Sequence, residues 1–441
     1  MLISKITKFL DSFDLISLAK ETGFIKRSDA KITPYEFILS FFLASSAKKF
    51  SFRKWSLELS RLLCSNISSQ AIDQKITYRH IGFVKKLLDQ AMSQCDGFKS
   101  FKELEILKPF SRVLIEDSTC VKLSHSLYNF FSGVRNATSQ ATNCRIQICL
   151  DIKTSKFENL ELTTYSKNDG SFSSNVLDRI RPGDLIIRDL GYWKREVFAQ
   201  IAAKNCYFIS KLKANSKLLE VNKNKDFILV QRLKELDKSK IESFDFECRL
   251  AGKNKLSVRI VGVKMSDDQI EKRRQNAIAS RHNGSKISEN AEYLFSWNIY
   301  ITNVTSEQMT IQNIAEIYRL RWHIEMVIKN WKSNFNLSGL LASCTGKNPA
   351  KVEMKLYLSF LYVITIYQSN FNQVSDLVYS KSQRIVSALK FGQYINDNLK
   401  LLIFYESENL INDIIRYCCY EKRRDRNNYY QYRYTLEDIH I

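Results

Sequence analysis

VLIEDSTCVKL, residues 113–123, marks the point where the chain changes period. Three aliphatic residues, Val113, Leu114 and Ile115, run together and an acid follows at Asp117, which reads as a buried strand rather than a helix face. CRIQICLDI (144–152) and ENLELTTYS (158–166) then alternate in part, as strands with one buried face do. A short helical segment, SSNVLDRI, leads to the turn RPGD and a further apolar run, LIIRDLGYW, residues 185–193. The helix pattern WKREVFAQIAAKN and the strand pattern CYFISKLK complete the alternation. Strands first, then strand and helix in turn, predict a mixed α/β sheet.

Outward from this sheet the pattern turns helical on both sides. Upstream, Thr33-Pro34-Tyr35-Glu36 has the form of a capping box with proline at the first helical position, predicting a helix to about Ser46. Phe52 to Leu63 and Ser69 to Ser93 give two more helical patterns, compatible with a helix-turn-helix or with an ordinary helical hairpin. Downstream, residues 214–290 are lysine-rich and polar, with the strand-like LSVRIVGVKM and the charged DDQIEKRRQN inside them. The sheet pattern resumes at YLFSWNIYITNV, and helices follow to an aromatic-basic tail. The expected organisation is a helical region over 1–105, a core in two parts over 106–213 and 291–345, a β-rich insertion over 214–290, and a helical region over 346–441.

Lysine and arginine number 67 against 46 acids, a formal charge of +21. That excess points to a polyanion through counterion release from phosphates, with a solvated basic surface as the plain alternative. No run of 18 apolar residues occurs and the N-terminus lacks a secretory pattern, so a cytoplasmic protein with no membrane partner is expected. Ten scattered cysteines without a CxxC pair argue for reduced thiols, and five histidines without metal spacing argue against zinc. A metal would need carboxylates. A phosphate loop is absent, since Asn348 follows Gly346-Lys347 where Ser or Thr is required.

Asp117 and Asp189 each end an apolar run, where an unpaired carboxylate costs several kcal/mol. Either a turn and a neighbour such as Arg188 satisfy them, or cations do. The helical stretch YRLRWHIEMVIKNWK, 318–332, adds a third acid. At 100° per residue Tyr318, Arg321, Glu325 and Lys332 fall in a stripe about 60° wide, with Leu320, Ile324, Val327 and Trp331 on the other side. One carboxylate among cations suits a metal held against a phosphodiester better than a purely phosphate-binding helix.

Tyr318, Arg321, Glu325 and Lys332, separated by two, three and six residues, resemble the signature of bacterial DDE-type cut-and-paste insertion-sequence transposases of the insertion-sequence-four family. Asp117 in IEDST and Asp189 in RPGDLIIRDLGYW, followed by Gly191 and Tyr192, resemble that family's two aspartates. Leu190 departs from the arginine common there, and Ile328 from the usual phenylalanine. The resemblance covers about residues 105–345. It implies a ribonuclease H-like mixed-sheet catalytic core interrupted by a β-rich insertion, in a nucleoid-associated protein of a prokaryote. It implies that Asp117, Asp189 and Glu325 are catalytic and hold two Mg²⁺ ions, with Mn²⁺ able to substitute. Tyr318, Arg321 and Lys332 would hold DNA phosphates, helped by Lys329 and Trp322. The implied partners are double-stranded DNA, as transposon terminal inverted repeats and as target, and a second copy in a homodimer on DNA.

Three other readings compete with this one. A tyrosine recombinase needs His-x-x-Arg, and Met326 stands three residues after His323. A catalytically inactive or repurposed transposase would bind DNA without cutting it, and a nuclease on the same fold would cut without joining. The N-terminal helices are candidates for reading the terminal repeats. Arg423, Arg424, Arg426, Tyr429, Tyr430 and Tyr432 of the tail could touch DNA or a second protomer, or form an exposed polar tail.

Overall fold

The stretch around Val113 is an interior strand of one mixed sheet in a computed structural model that describes residues 6–26, 30–47, 49–95, 105–135, 140–221, 223, 225–252, 255–279, 289–405 and 409–420. The tail arginines and tyrosines named above lie outside the described residues. The strands are β1 (Val113–Lys122), β2 (Ser132–Arg135), β3 (Gln140–Asp151), β4 (Lys156–Thr164), β5 (Leu185–Arg188), β6 (Tyr207–Lys211), β7 (Leu218–Leu219), β8 (Ser243–Leu250), β9 (Ser257–Lys264) and β10 (Trp297–Thr302). Their order is β2-β3-β1-β5-β6-β10-β9-β8-β7, with β4 also on β3. β1, β3 and β4 pair antiparallel, while β5 and β6 run parallel to β1. With helix Arg195–Ala203 crossing between β5 and β6, this is the ribonuclease H-like arrangement. β10, β9, β8 and β7 extend the same sheet antiparallel beyond β6.

Strand alternation decides which face each residue takes. Val113, Ile115, Leu185, Ile187, Ile209, Val261 and Tyr300 join one core, shared with the N-terminal helices and with the helices after β10. Leu114, Ile186, Phe208, Ile260, Ile299 and Ile301 join a second core on the opposite face, with Phe198 and Leu233. The turn before β5 is fixed chemically. Gly183 adopts φ +87°, and the fully buried Asp184 accepts two bonds from Arg112 at 3.1 and 2.6 Å, which seats β5 beside the start of β1.

Several local expectations change. The pattern Ser69 to Ser93 is two helices, Ser69–Gln74 and Tyr78–Gln94, with Lys75 to Thr77 between them. DDQIEKRRQN lies in a helix, Asp267–Ala279, which buries no residue and so carries no apolar period to read. Tyr293 to Phe295, expected to open a strand, end the helix Glu289–Phe295, and the strand starts at Trp297. The short β2 escaped the sequence reading altogether. The stretch 318–332 is not one helix. Ile311–Arg319 ends and Trp322–Ser333 begins after a tightened turn, in which the N–H groups of Leu320, Arg321 and His323 reach back only three residues. A straight helix would put Tyr318 opposite Ile324 and Trp331; the break lets all three be buried. None of the ten cysteines forms a disulfide, and no helix among the described residues is long and apolar enough to cross a membrane.

Candidate active site

Asp117 continues the parity of Val113 and Ile115, and Asp189 that of Leu185 and Ile187, so both acids face the side that carries helix Trp322–Ser333. The parallel register pairs Ile115 with Ile187, which carries Asp117 and Asp189 to equal depth two residues beyond the last paired row. Asp117 lies within β1 and its carboxylate accepts from the Ser118 N–H at 2.7 Å. Asp189 leaves β5 as the residue before the turn Leu190–Tyr192. Neither pairs with Arg188. Arg188 is fully buried on the opposite face, where it donates to Glu116 at 2.7 and 2.9 Å and to Ser173 Oγ and O.

Glu325 sits in the first turn of Trp322–Ser333 and is ion-paired with Arg321 at 2.5 Å. Burial pushes the Asp117 carboxyl up to about 6; the Ser118 N–H and Arg321 oppose this, while Glu325 and Asp169 add to it. Such a carboxylate is short of positive charge. Lys211, at the end of β6, is lowered chiefly by burial, then by Arg273 and Arg321, against the pull of Asp189 and Glu325. Asp117, Asp189, Glu325, Arg321 and Lys211 therefore form one electrostatic cluster.

The remaining expected residues occupy distinct positions. Tyr318 is buried, its ring 5.1 Å from that of Tyr300, with Arg321 and Lys211 each 5.8 Å from its centroid. Its hydroxyl has no hydrogen-bond partner among the described residues, and burial raises its pKa. Lys332 donates to the Cys120 carbonyl of β1 at 3.1 Å. Trp322 and Lys329 are exposed on the same helix. A cleft of about 640 Å³ opens beside Leu190, lined among others by Lys211, Lys217, Arg273 and Trp297.

Sequence reasoning passed over Glu116 and gave Arg188 the wrong partner, and it passed over Arg145, Asp169 and Lys211. Parity could have found the first two, because each directly precedes a candidate acid and so points to the other face. Lys211 was signalled by the strand end FISK, one row beyond Ser210, the partner of Arg188. Asp169 opens a single helical turn too short to show a period.

The donors fit a hard divalent cation by type, being oxygens, and Asp117 in particular calls for positive charge. Among the described residues, however, no three of His, Cys, Asp and Glu gather closely enough to hold a metal. Arg321 is the cation that Glu325 meets instead.

Residues 108–363 match the family model described as the transposase DDE domain. A transposase for insertion sequence element IS231F of Bacillus thuringiensis subsp. israelensis is 26% identical over 91% of this chain and 86% of its own. The transposase for IS1151 of Clostridium perfringens is 24% identical over 82% of this chain and 77% of its own. Among solved structures, the Drosophila P element transposase strand transfer complex matches at 10% identity and TM-score 0.20, over 93% of this chain and 87% of that one. With more than half its length matched, the chain belongs to the transposase DDE domain family, divalent-metal-dependent enzymes that cleave DNA and transfer its strands.

Proposed function

We propose that Asp117, Asp189 and Glu325 are the catalytic carboxylates of a cut-and-paste reaction in which the protein cleaves at the terminal inverted repeats of its element and joins the ends to target DNA. The observation that carries this reading is the equal depth of Asp117 and Asp189 on adjacent parallel strands, on the sheet face that bears Glu325. These three residues would hold two Mg²⁺ ions, for which Mn²⁺ can substitute. Bound there, the metal supplies Lewis-acid stabilisation of phosphoryl oxygens and a more acidic attacking water or 3′-hydroxyl.

The chain's own groups do the rest. The two aspartates ride on strands that cannot shift separately, because the paired rows 113–115 and 185–187 lock them. Arg321 exchanges Glu325 for a phosphate oxygen when DNA arrives, and Tyr318 supports its guanidinium from below. Lys332 leaves the Cys120 carbonyl for a second phosphate. Lys329 and Trp322, exposed on the same helix, flank the strand, one by charge and one by a flat apolar surface. The protein would work as a homodimer on DNA, at the nucleoid in a prokaryotic cytoplasm, with a helical N-terminal region, a split core and the lysine-rich insertion as its parts.

The test incubates purified protein with Mg²⁺ and a labelled duplex carrying the element's own ends, wild type beside Glu325→Gln. Cleavage and joining by wild type alone is the expected result. Specific binding without cleavage by either protein would instead identify a scaffold that only holds DNA.

A further inference from the structure

Asp169 follows β4 in the loop YSKNDGSF and opens a single helical turn, Asp169–Phe172, capped by Asn168. Its carboxylate reaches into the sheet. Oδ1 accepts from the Ser118 hydroxyl at 2.6 Å and from Arg145 Nη1 at 3.0 Å, and Arg145 also donates to Ser118 Oγ at 2.9 Å. Ser118 is the residue after Asp117, and its own N–H holds the Asp117 carboxylate. The other oxygen of Asp169 lies against the second arm. A Cβ built on Gly191, two residues after Asp189, would stand 2.9 Å from Asp169 Oδ2 and 3.2 Å from its Cβ. A side chain at Gly191 would press on Asp169, because the carboxylate fills the space it would take.

One side chain thus touches the residue of β1 beside Asp117 and the turn beside Asp189. Beneath it the same face is closed by the buried Glu116–Arg188–Ser173 network, and Tyr192 donates to Gln147 at 2.6 Å. β1 and β5 share paired rows only as far as Ile115 and Ile187, so beyond these rows no ladder bond sets the distance between the two acids. Asp169 bridges that gap.

We propose that Asp169, held by Arg145 and Ser118, is a positioning residue that sets the spacing of Asp117 and Asp189 by bracing Ser118 and Gly191 from the opposite face. The inference rests on the reading of these two acids as cation ligands. It assigns Asp169 no contact with DNA or metal. Groups that orient ligands in this way typically cost 10–100-fold in metal affinity or activity when removed.

The experiment measures Mn²⁺ binding to the full chain by titration calorimetry, together with thermal midpoints, for wild type, Asp169→Ala, Asp169→Asn, Gly191→Ala and Glu325→Gln. Asp169→Asn keeps an oxygen that can accept from Ser118 and Arg145. Asp169→Ala should weaken Mn²⁺ binding about 10–100-fold. Asp169→Asn should restore most of that loss, and Gly191→Ala, which pushes the same carboxylate from the other side, should reproduce it. Wild-type affinity in Asp169→Ala beside weakened binding in Glu325→Gln overturns the bracing role and leaves the function intact. Wild-type affinity in Glu325→Gln counts against the carboxylate reading itself. An equal fall in thermal midpoint for Asp169→Ala and Asp169→Asn, with metal affinity unchanged in both, makes Asp169 structural only and also overturns the proposal.

Discussion

Replacing Arg188 by methionine isolates the strongest electrostatic commitment in the sheet. Arg188 is fully buried, Glu116 is 2% exposed, and the guanidinium donates four hydrogen bonds, two to Glu116 and two to Ser173. The Met side chain fills much of the volume but leaves the Glu116 carboxylate in an apolar layer with no cation. Breaking a buried pair from one side costs about 3–5 kcal/mol, while replacing both partners with apolar residues is often neutral or better. Arg188→Met should therefore lose about 3–5 kcal/mol of apparent stability in urea unfolding followed by tryptophan fluorescence. Glu116→Leu combined with Arg188→Met should recover most of the loss. Because Glu116 and Arg188 directly precede Asp117 and Asp189, the single variant should also cleave DNA poorly at temperatures where it is still folded. A single-variant cost below about 1 kcal/mol, or a double variant as unstable as the single, would refute the argument that this pair is what makes the two charges tolerable.

Three further outcomes are expected. Burial, with Lys75 and Arg79 adding to it, lowers His80 from 6.5 to about 4, so the folded state disfavours its charged form. The stability that His80 contributes is present above pH 6.5 and lost as pH falls toward 4, and thermal midpoints across that window should fall less steeply for His80→Gln than for wild type. Gly262 faces Phe244 across β8 and β9, and a Cβ there would stand 2.1 Å from the ring. Gly262→Ala should cost about 1–3 kcal/mol in urea unfolding, and adding Phe244→Leu should give part of it back. Lys332→Ala should weaken duplex binding alike for all sequences and reduce the slope of log affinity against log salt by about 1; an unchanged slope would take Lys332 off the list of phosphate contacts.

The sheet was legible because its strands alternate or run apolar, and the two candidate aspartates because each interrupts such a run. What the reading missed divides by cause. Arg188 was offered as a partner for Asp189, yet neighbours on a strand point to opposite faces, and parity alone sends Arg188 with Ile186 and Glu116 with Leu114. That error could have been avoided from the sequence. The break at Leu320 and Arg321 could not, since both are good helix formers, and only the demand to bury Tyr318 beside Tyr300 reveals it. Asp169 is the hardest case, because a single helical turn is too short to show a period and its partners lie 51 and 24 residues away. Periodicity tells which face a charged residue takes, but not what it meets there. In this chain the three candidate acids sit on one face, legible as a motif, while the groups around the two aspartates sit on the other, Glu116 and Arg188 readable by parity and Asp169 by no spacing at all. On the proposed bracing, the distance between Asp117 and Asp189 is a property of Glu116, Arg188, Ser118 and Asp169 as much as of the aspartates, and the motif alone names the candidate acids without what sets their geometry.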